Sequence, residues 1–552
     1  MATECASQTI CQTDGTSFVI DEKLLARNRT LGVTRKIEDG LSVYTFRVWA
    51  PRADSVYLVG DFVGWEKGRP MTALSQGVWE YHLTTEGSLE KHQYKYKLFS
   101  RGKASYLADP YAKELEAADH AASILSTDSH FHFQDEAWLK HRQKESRIPV
   151  LSRALHFYEL DSAAWKTHDS RPVGEPFAAL SYRELADAVT PYVKGLGYTH
   201  VILSESLFNG VSRFAAPACH GSYDDFLYFI NKLHTNGVGI LCPILPLEKR
   251  TKFFDGVCSN NCPNFVSYLL LTLLHFAECC HVDGFVLSSD CQDDVSIASL
   301  LATEIKKTHP ELLFLHKGSS QNKSAAFDLV SNTNKEEALR RYLACDPFFR
   351  HYHHDVLSFE AHGLLCEPEV TQRSLMAGFF GNYEDKFATM RLFHLFRLFY
   401  PAKPISYMGN ELAPFAPRDS AHELEWFLLD FPMHRRYFDF VKKANTFYLE
   451  NAPLWQSTDC RVIYENPCDN VLVIARRSQD QKTLYGVFNF SAKYLSEYWI
   501  PIDIGSCREI FSTDSLAFGG SGQENTRKDL AANGGIILDI PPLCAVMLQP
   551  VA

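Results

Sequence analysis

"NFVSYLLLTLLHFAECCHVDGFVLSSD", residues 264–290, holds the pattern from which the fold is read. Its first half is apolar on every side, and the greasiest part, Phe265 to Phe276, contains a histidine and is too short to span a bilayer. It predicts a buried helix. An Asp-Gly pair then leads into Phe285-Val286-Leu287, a short apolar run closing on two serines and an aspartate. Such a run predicts a buried parallel strand that opens onto a functional face.

The same helix-then-strand unit recurs on either side. "SYRELADAVTPYVKGLG" (181–197) precedes "YTHVILS", and "YDDFLYFINKLHTNG" (223–237) precedes "VGILCPIL". "IASLLATEIKKTHP" (297–310) precedes "LLFLHK". Repeated units of this kind imply parallel strands joined by crossover helices. One continuous alternation over residues 150–454 predicts a (β/α)8 TIM barrel. The alternative, a doubly wound sheet, lacks the Gly-rich phosphate loop that should follow a strand, and no cofactor is expected.

Outside the barrel the style changes to short alternating runs. "VYTFRVWAP", "SVYLVGDF", "GVWEYHL" and "HQYKYKLF", punctuated by Gly, Pro and Asp, predict a β-sandwich over 41–125. Residues 1–40 read as a polar leader with one short helix, and 126–149 as a charged, helix-prone linker. "VLVIARRS", "TLYGVFNFS" and "GGIILDIPPLCAVML" predict a second, C-terminal β-sandwich over 455–552. The fold class is multidomain: sandwich, α/β barrel, sandwich.

Composition narrows the partners. The chain of 552 residues carries a net charge of −11 and no dense basic block, which argues against nucleic acid and anionic membrane. Aromatics reach 13%, a composition that suits either a large core or sugar faces. The polar N-terminus has no signal-peptide pattern, and the odd count of 15 cysteines reads as free thiols, so a cytoplasmic location is expected. Cys258, Cys262, Cys279, Cys280 and Cys291 lack paired CxxC spacing, so no metal is expected.

Specific motifs then point to a family. "FRVWAPRADSVYLVGDFVGWEKGRPMTALSQGVWEYHL" resembles the glycogen-binding module that precedes the barrel in glycogen branching enzymes, and "ADPYAKE" continues the match. "GSYDDFLYFINKLHTNGVGI", "DPFFRHYHHDVLSF", "YEDKFATMRLF", "PISYMGNELAPF" and "LEWFLLDFPMHRR" resemble barrel segments of the same enzymes. The resemblance covers about 42–549 and places the chain with bacterial-type branching enzymes of the α-amylase superfamily.

That chemistry needs a carboxylate nucleophile and a carboxylic acid/base about 5 Å apart, at C-terminal strand ends of the barrel. The resemblance implies Ser288 at the nucleophile position and His316, with Lys317 beside it, at the acid/base position. Glu367 falls in the third-carboxylate region, and Cys242 and Leu247 take two sugar-cradling positions. The donor-subsite loop is bridged by "FNGVSRFAAP", and two further loops are short. The catalytic set is therefore lost while scaffold motifs stay, with Asp290, two residues past Ser288, as the rescue candidate. In the N-terminal module Trp65 and Lys95 sit at the family's sugar-stacking and sugar-bonding positions, and Tyr106 is a further candidate. The implied partners are α-glucan and an enzyme of glycogen metabolism. His316, Lys317, Cys242 and Cys366 are expected to crowd the barrel mouth, a setting for an anionic ligand. "YHH" at 352–354 reads as scaffold histidine. The alternatives are an active branching enzyme with relocated residues and an interaction protein without glucan affinity.

Overall fold

The computed structural model describes residues 8–13, 16–116, 122–127, 129–172, 178–204, 214–216, 220–244, 263–318, 324–331, 363–367, 374–419, 421–502, 506–525, 530–532 and 534–551. Three bodies follow one another along the chain.

The N-terminal sandwich pairs a four-stranded antiparallel sheet, centred on Leu41–Trp49, with a second sheet centred on Gln93–Ser100 and Ser55–Gly60. Alternation sends Tyr44, Phe46 and Val48 from the first sheet against Leu58, Tyr94, Tyr96 and Leu98 of the second. The polar leader contributes more than a helix. Gly32–Glu38 pairs with Leu41–Trp49 as the edge strand of the first sheet. An edge strand with one wet face tolerates the Arg, Lys and Glu that hide its strand character in the sequence. The expected short helix is Glu22–Asn28, capped by Asp21, whose Oδ1 accepts from the Lys23 and Leu24 amides at 2.8 and 3.2 Å.

The barrel has eight parallel strands: β1 (Phe157–Leu160), β2 (His200–Leu203), β3 (Gly239–Ile244), β4 (Gly284–Leu287), β5 (Leu313–His316), β6 (Leu329–Val330), β7 (Leu364–Cys366) and β8 (Lys403–Tyr407). β8 pairs with β1, and a parallel bridge between Ser331 and Leu364 brings β6 to β7, so the ring comes almost closed. Its helices are α1 (Tyr182–Gly195), α2 (Tyr223–Thr235), α3 (Pro263–Glu278), α4 (Gln292–Lys306), α5 (Tyr383–Phe399) and α6 (Pro432–Glu450). α1, α2 and α5 each start on a reciprocal capping box, such as Ser181 with Glu184. The interior layer is Phe157, Ile202, Leu241, Val286, Leu313, Leu315, Leu364 and Ile405, a packed core with no pore.

The linker carries a helix, Glu136–Glu145, bolted to the N-terminal end of the barrel. Trp138 Nε1 and Arg142 Nη1 both donate to Asp283 Oδ1, at 2.8 and 3.1 Å. His234 of α2 lies between Asp135, at 2.8 Å, and Asp283, at 3.0 Å.

The C-terminal sandwich packs a five-stranded sheet against a three-stranded one. It is welded to the barrel by buried Arg476, which donates to the carbonyls of Phe399 and Leu454 at 2.5 and 2.8 Å. Among the described residues no helix is long and apolar enough to cross a membrane.

Candidate functional site

Side chains alternate along each barrel strand, so the residues that face the mouth continue the inner rows. In β4, Val286 is an inner residue while Phe285 and Leu287 pack outward on the helices. Ser288, half-buried, therefore continues the row to the mouth, where the sequence reading put it. In β5 the inner row is Leu313 and Leu315, and Lys317 continues it.

His316 consequently stands on the other side of the strand, contrary to the expectation that it crowds the mouth. It is fully buried, stacked on Phe327 with ring centroids 5.2 Å apart, and its Nε2 donates to the Ser289 carbonyl at 2.9 Å. The residue that presents a charge to the mouth is Lys317. Its ammonium donates to both carboxylate oxygens of Glu159, at 2.7 and 2.6 Å, from the opposite side of the barrel.

Glu159 and Asp161 were not singled out from the sequence. The signal was available in "HFYELD": acids two apart on a strand whose inner row starts with Phe157. Asp161 pairs with Arg418 at 3.1 Å, and the Arg418 guanidinium lies 4.5 Å over the ring of Tyr407, the next inner-row residue of β8. Both mouth acids of β1 are thus held by cations. A cavity of about 220 Å³ opens beside this pair, walled by Tyr407, Met408, Pro414, Pro417, Arg418 and Leu424.

Glu367 does not face the mouth. Leu364 and Cys366 take the inner row of β7, and Glu367 turns outward into a buried ion pair with Arg397 of α5 at 2.7 Å. It also accepts from the Tyr407 amide and from Asn410 Nδ2, at 2.9 and 2.8 Å. Burial raises its pKa, with Arg397 opposing. Cys242 is likewise outward, packed in the layer between strands and helices, whereas Cys366 is in the interior row. Burial pushes the Cys242 thiol well up, so it stays protonated.

Asp290 is exposed just beyond Ser288. Its Oδ1 and the His316 Nε2 converge on Gly318: a Cβ there would meet them at 2.7 and 2.6 Å. Ser289 beside it donates to Asp294 Oδ2 at 2.5 Å. Leu247 and the 352–354 triplet lie outside the described residues, as do most of "FNGVSRFAAP" and the loop after β7. Among the described residues no group of three His, Cys, Asp or Glu is placed to hold a metal ion.

In the N-terminal module the candidate residues share the outward face of the second sheet. Lys95 pairs in register with Val59, Lys97 with Tyr57, and Tyr106 with Lys97. Trp65 follows Gly64, which pairs with Gly60 at the end of the same face. Trp65 is 37% exposed, and its Nε1 donates to Asp61 Oδ1 at 3.0 Å, which fixes the ring. Tyr106 is 54% exposed, with the Lys97 ammonium 5.6 Å over its ring. Lys97, in the same alternating row as Lys95, was missed by the sequence reading.

Residues 30–112 match carbohydrate-binding module 48 (isoamylase N-terminal domain), and residues 463–551 match the α-amylase C-terminal all-beta domain. Similarity to curated proteins runs along most of the chain. A 1,4-alpha-glucan branching enzyme of Protochlamydia amoebophila is 27% identical over 92% of this chain and 81% of its own length. Another, from Bacillus caldolyticus, is 26% identical over 98% of this chain and 92% of its own. Among solved structures, the catalytic module of the glycogen-degrading pneumococcal factor SpuA shares the fold, with a TM-score of 0.71 at 13% identity, over 95% of this chain and 97% of that one. A pullulanase from Anoxybacillus sp. LM18-11 does so with a TM-score of 0.69 at 14% identity, over 94% and 85%.

Proposed function

The chain is a member of the α-amylase superfamily, and on that premise we propose that it is a non-catalytic homologue of glycogen branching enzymes that binds α-glucan. In this reading it serves glycogen metabolism in the cytoplasm as a scaffold or regulator, alone or docked on an enzyme of that pathway.

One observation carries the reading. A retaining glycosyl transfer needs two carboxyl groups about 5 Å apart, one of them unpaired enough to attack. At this mouth β4 ends on Ser288, β5 presents Lys317, and Glu159 is clamped by that lysine. A serine hydroxyl carries no negative charge to stabilise an oxocarbenium ion, and a lysine ammonium repels one. Losing nucleophile and acid together removes most of the barrier lowering such a transfer requires. The outward face with Trp65, Lys95 and Tyr106 supports glucan contact, since an indole face against a pyranose is worth about 1 kcal/mol.

A second reading, an active branching enzyme with relocated residues, draws on the convergence of Asp290 and His316 over Gly318. The two are separated by incubating the protein with amylose, debranching with isoamylase and measuring chain lengths. No new short chains, with retention on amylose that Trp65→Ala weakens, supports the non-catalytic reading. New chains that vanish in Asp290→Ala overturn it. An interaction protein without glucan affinity would pass through amylose unretained.

A further inference from the structure

Only two tryptophans among the described residues rank as exposed large apolar side chains, Trp65 on the first sandwich and Trp499 on the last. Trp499 is 51% exposed on the strand Leu495–Ile500, which pairs antiparallel with Gly535–Ile540. Its direct cross-strand neighbour is Ile537, 41% exposed. The inner faces of the same strands are closed by Ile500, Ile536, Leu538 and Ile540, so Trp499 and Ile537 add nothing to that core.

A Cβ on Gly535 would meet the Ile500 carbonyl oxygen and, at 2.8 Å, Trp499 Nε1, so the nitrogen edge of the indole reaches over this glycine, close to the sheet. Carboxylates stand further along the same two strands. Asp539 follows Ile537 on the same face, and its Oδ1 accepts from the Glu497 amide at 2.8 Å. Glu497 itself sits at the register shift between Leu495 and Tyr498, in left-handed backbone at φ 46°, with its side chain exposed. Tyr494, 45% exposed, stands at the start of the strand.

We infer that this face is a second α-glucan contact, with Trp499 as the stacking platform and Asp539 and Glu497 as acceptors for sugar hydroxyls. The chemistry selects the occupant. A pyranose offers an apolar face to the ring and hydroxyl donors to the carboxylates. A second copy of this face would set the same acids against themselves, and an anionic membrane would be repelled. Two contacts on separate sandwiches let one long chain or two outer branches of a particle be gripped at once, and linked weak contacts bind far more tightly than either alone.

The full-length protein is run in native gels containing amylose, and titrated with maltoheptaose, for wild type, Trp499→Ala, Trp499→Tyr, Trp65→Ala and the double Trp65→Ala/Trp499→Ala. Thermal unfolding of each is measured in parallel. The expected result is a several-fold loss of retardation in Trp499→Ala, recovery in Trp499→Tyr, and a further loss in the double variant. Retardation unchanged in Trp499→Ala, or abolished by Trp65→Ala alone, overturns this inference and leaves the glucan-binding reading standing. So does a loss that only follows a lowered unfolding temperature, since the indole would then merely cover Gly535. A wild type that amylose does not retard overturns both. A loss in Trp499→Ala without one in Trp65→Ala keeps the inference and removes the role of Trp65.

Discussion

A single ion pair crosses the mouth of this barrel. Lys317 and Glu159 keep 20% and 15% of their side-chain surface, so their attraction is only partly screened and removing one partner strands the other. Lys317→Met should destabilise the protein by about 2 kcal/mol, and the double variant with Glu159→Gln should recover most of that. Urea unfolding midpoints across the double-mutant cycle check it; additive losses would mean the pair is not coupled. Glu411 is a second informative residue. It is fully buried, accepts from the Tyr158 and Tyr192 hydroxyls at 2.8 and 2.6 Å, and burial raises its pKa to about 7 from 4.5. The folded state therefore holds a proton that the unfolded state releases earlier. Stability is lost as pH rises from about 4.5 through about 7, and above that the cost is complete, on the order of 3 kcal/mol. Glu411→Gln should unfold with wild type at pH 5 and above it at pH 8 in thermal scans; the same offset at both pH values would refute the assignment.

The linker helix Glu136–Glu145 has no buried residue and little amphipathic character, so packing alone does not hold it. Its anchor is electrostatic. Asp135 at its N-cap and Asp283 at the start of β4 share His234, Arg142 donates to Asp283 from the helix, and His281 approaches Asp135 at 3.0 Å. His200 borders the same cluster through Asp283. Burial by itself would lower the His234 pKa, but the two aspartates outweigh it and raise the value. A raised histidine stabilises fully below its unfolded value of about 6.5, and the contribution is lost as pH rises through the folded value. His234→Gln should therefore cost about 3 kcal/mol at pH 6, less at pH 9, with faster amide exchange over residues 136–145. A pH-independent loss would show that the imidazole acts only by packing.

Across the whole molecule the three bodies are not equally independent. Each sandwich has a core of its own, but the N-terminal one lends Trp49 and Val78 to the core of the barrel helices, whereas the C-terminal one lends it a whole layer that includes Leu472, Ile474, Leu484, Phe488, Phe511 and Met547. Arg476 and Arg391 stitch that junction, the latter donating to the Thr513 carbonyl at 2.8 Å. Calorimetry should resolve one transition for the N-terminal sandwich and one shared by barrel and C-terminal sandwich. Arg476→Met should lower the shared transition by several degrees and leave the other in place. Three separate transitions would contradict a shared core.

The sequence by itself determined the architecture. Period-2 runs and capping residues are local signals, each read within a dozen residues, and the recurrence of helix-then-strand units around "VDGFVLS" makes its strand parallel. It also offered Ser288, Trp65 and Lys95 as candidates, because motif order along the chain carries position. The edge strand Gly32–Glu38 stayed hidden, since its polar residues are tolerated only by a neighbour it meets through a turn. Only the tertiary structure decided which side of each strand end faces the mouth. His316 and Lys317 are adjacent in sequence, but the inner row set by Leu313 and Leu315 sends the lysine in and the histidine out. Partners were likewise beyond the sequence's reach: Glu159 meets Lys317 from 158 residues away and Glu367 meets Arg397 across the strand–helix layer, because barrel closure, not chain proximity, sets those distances.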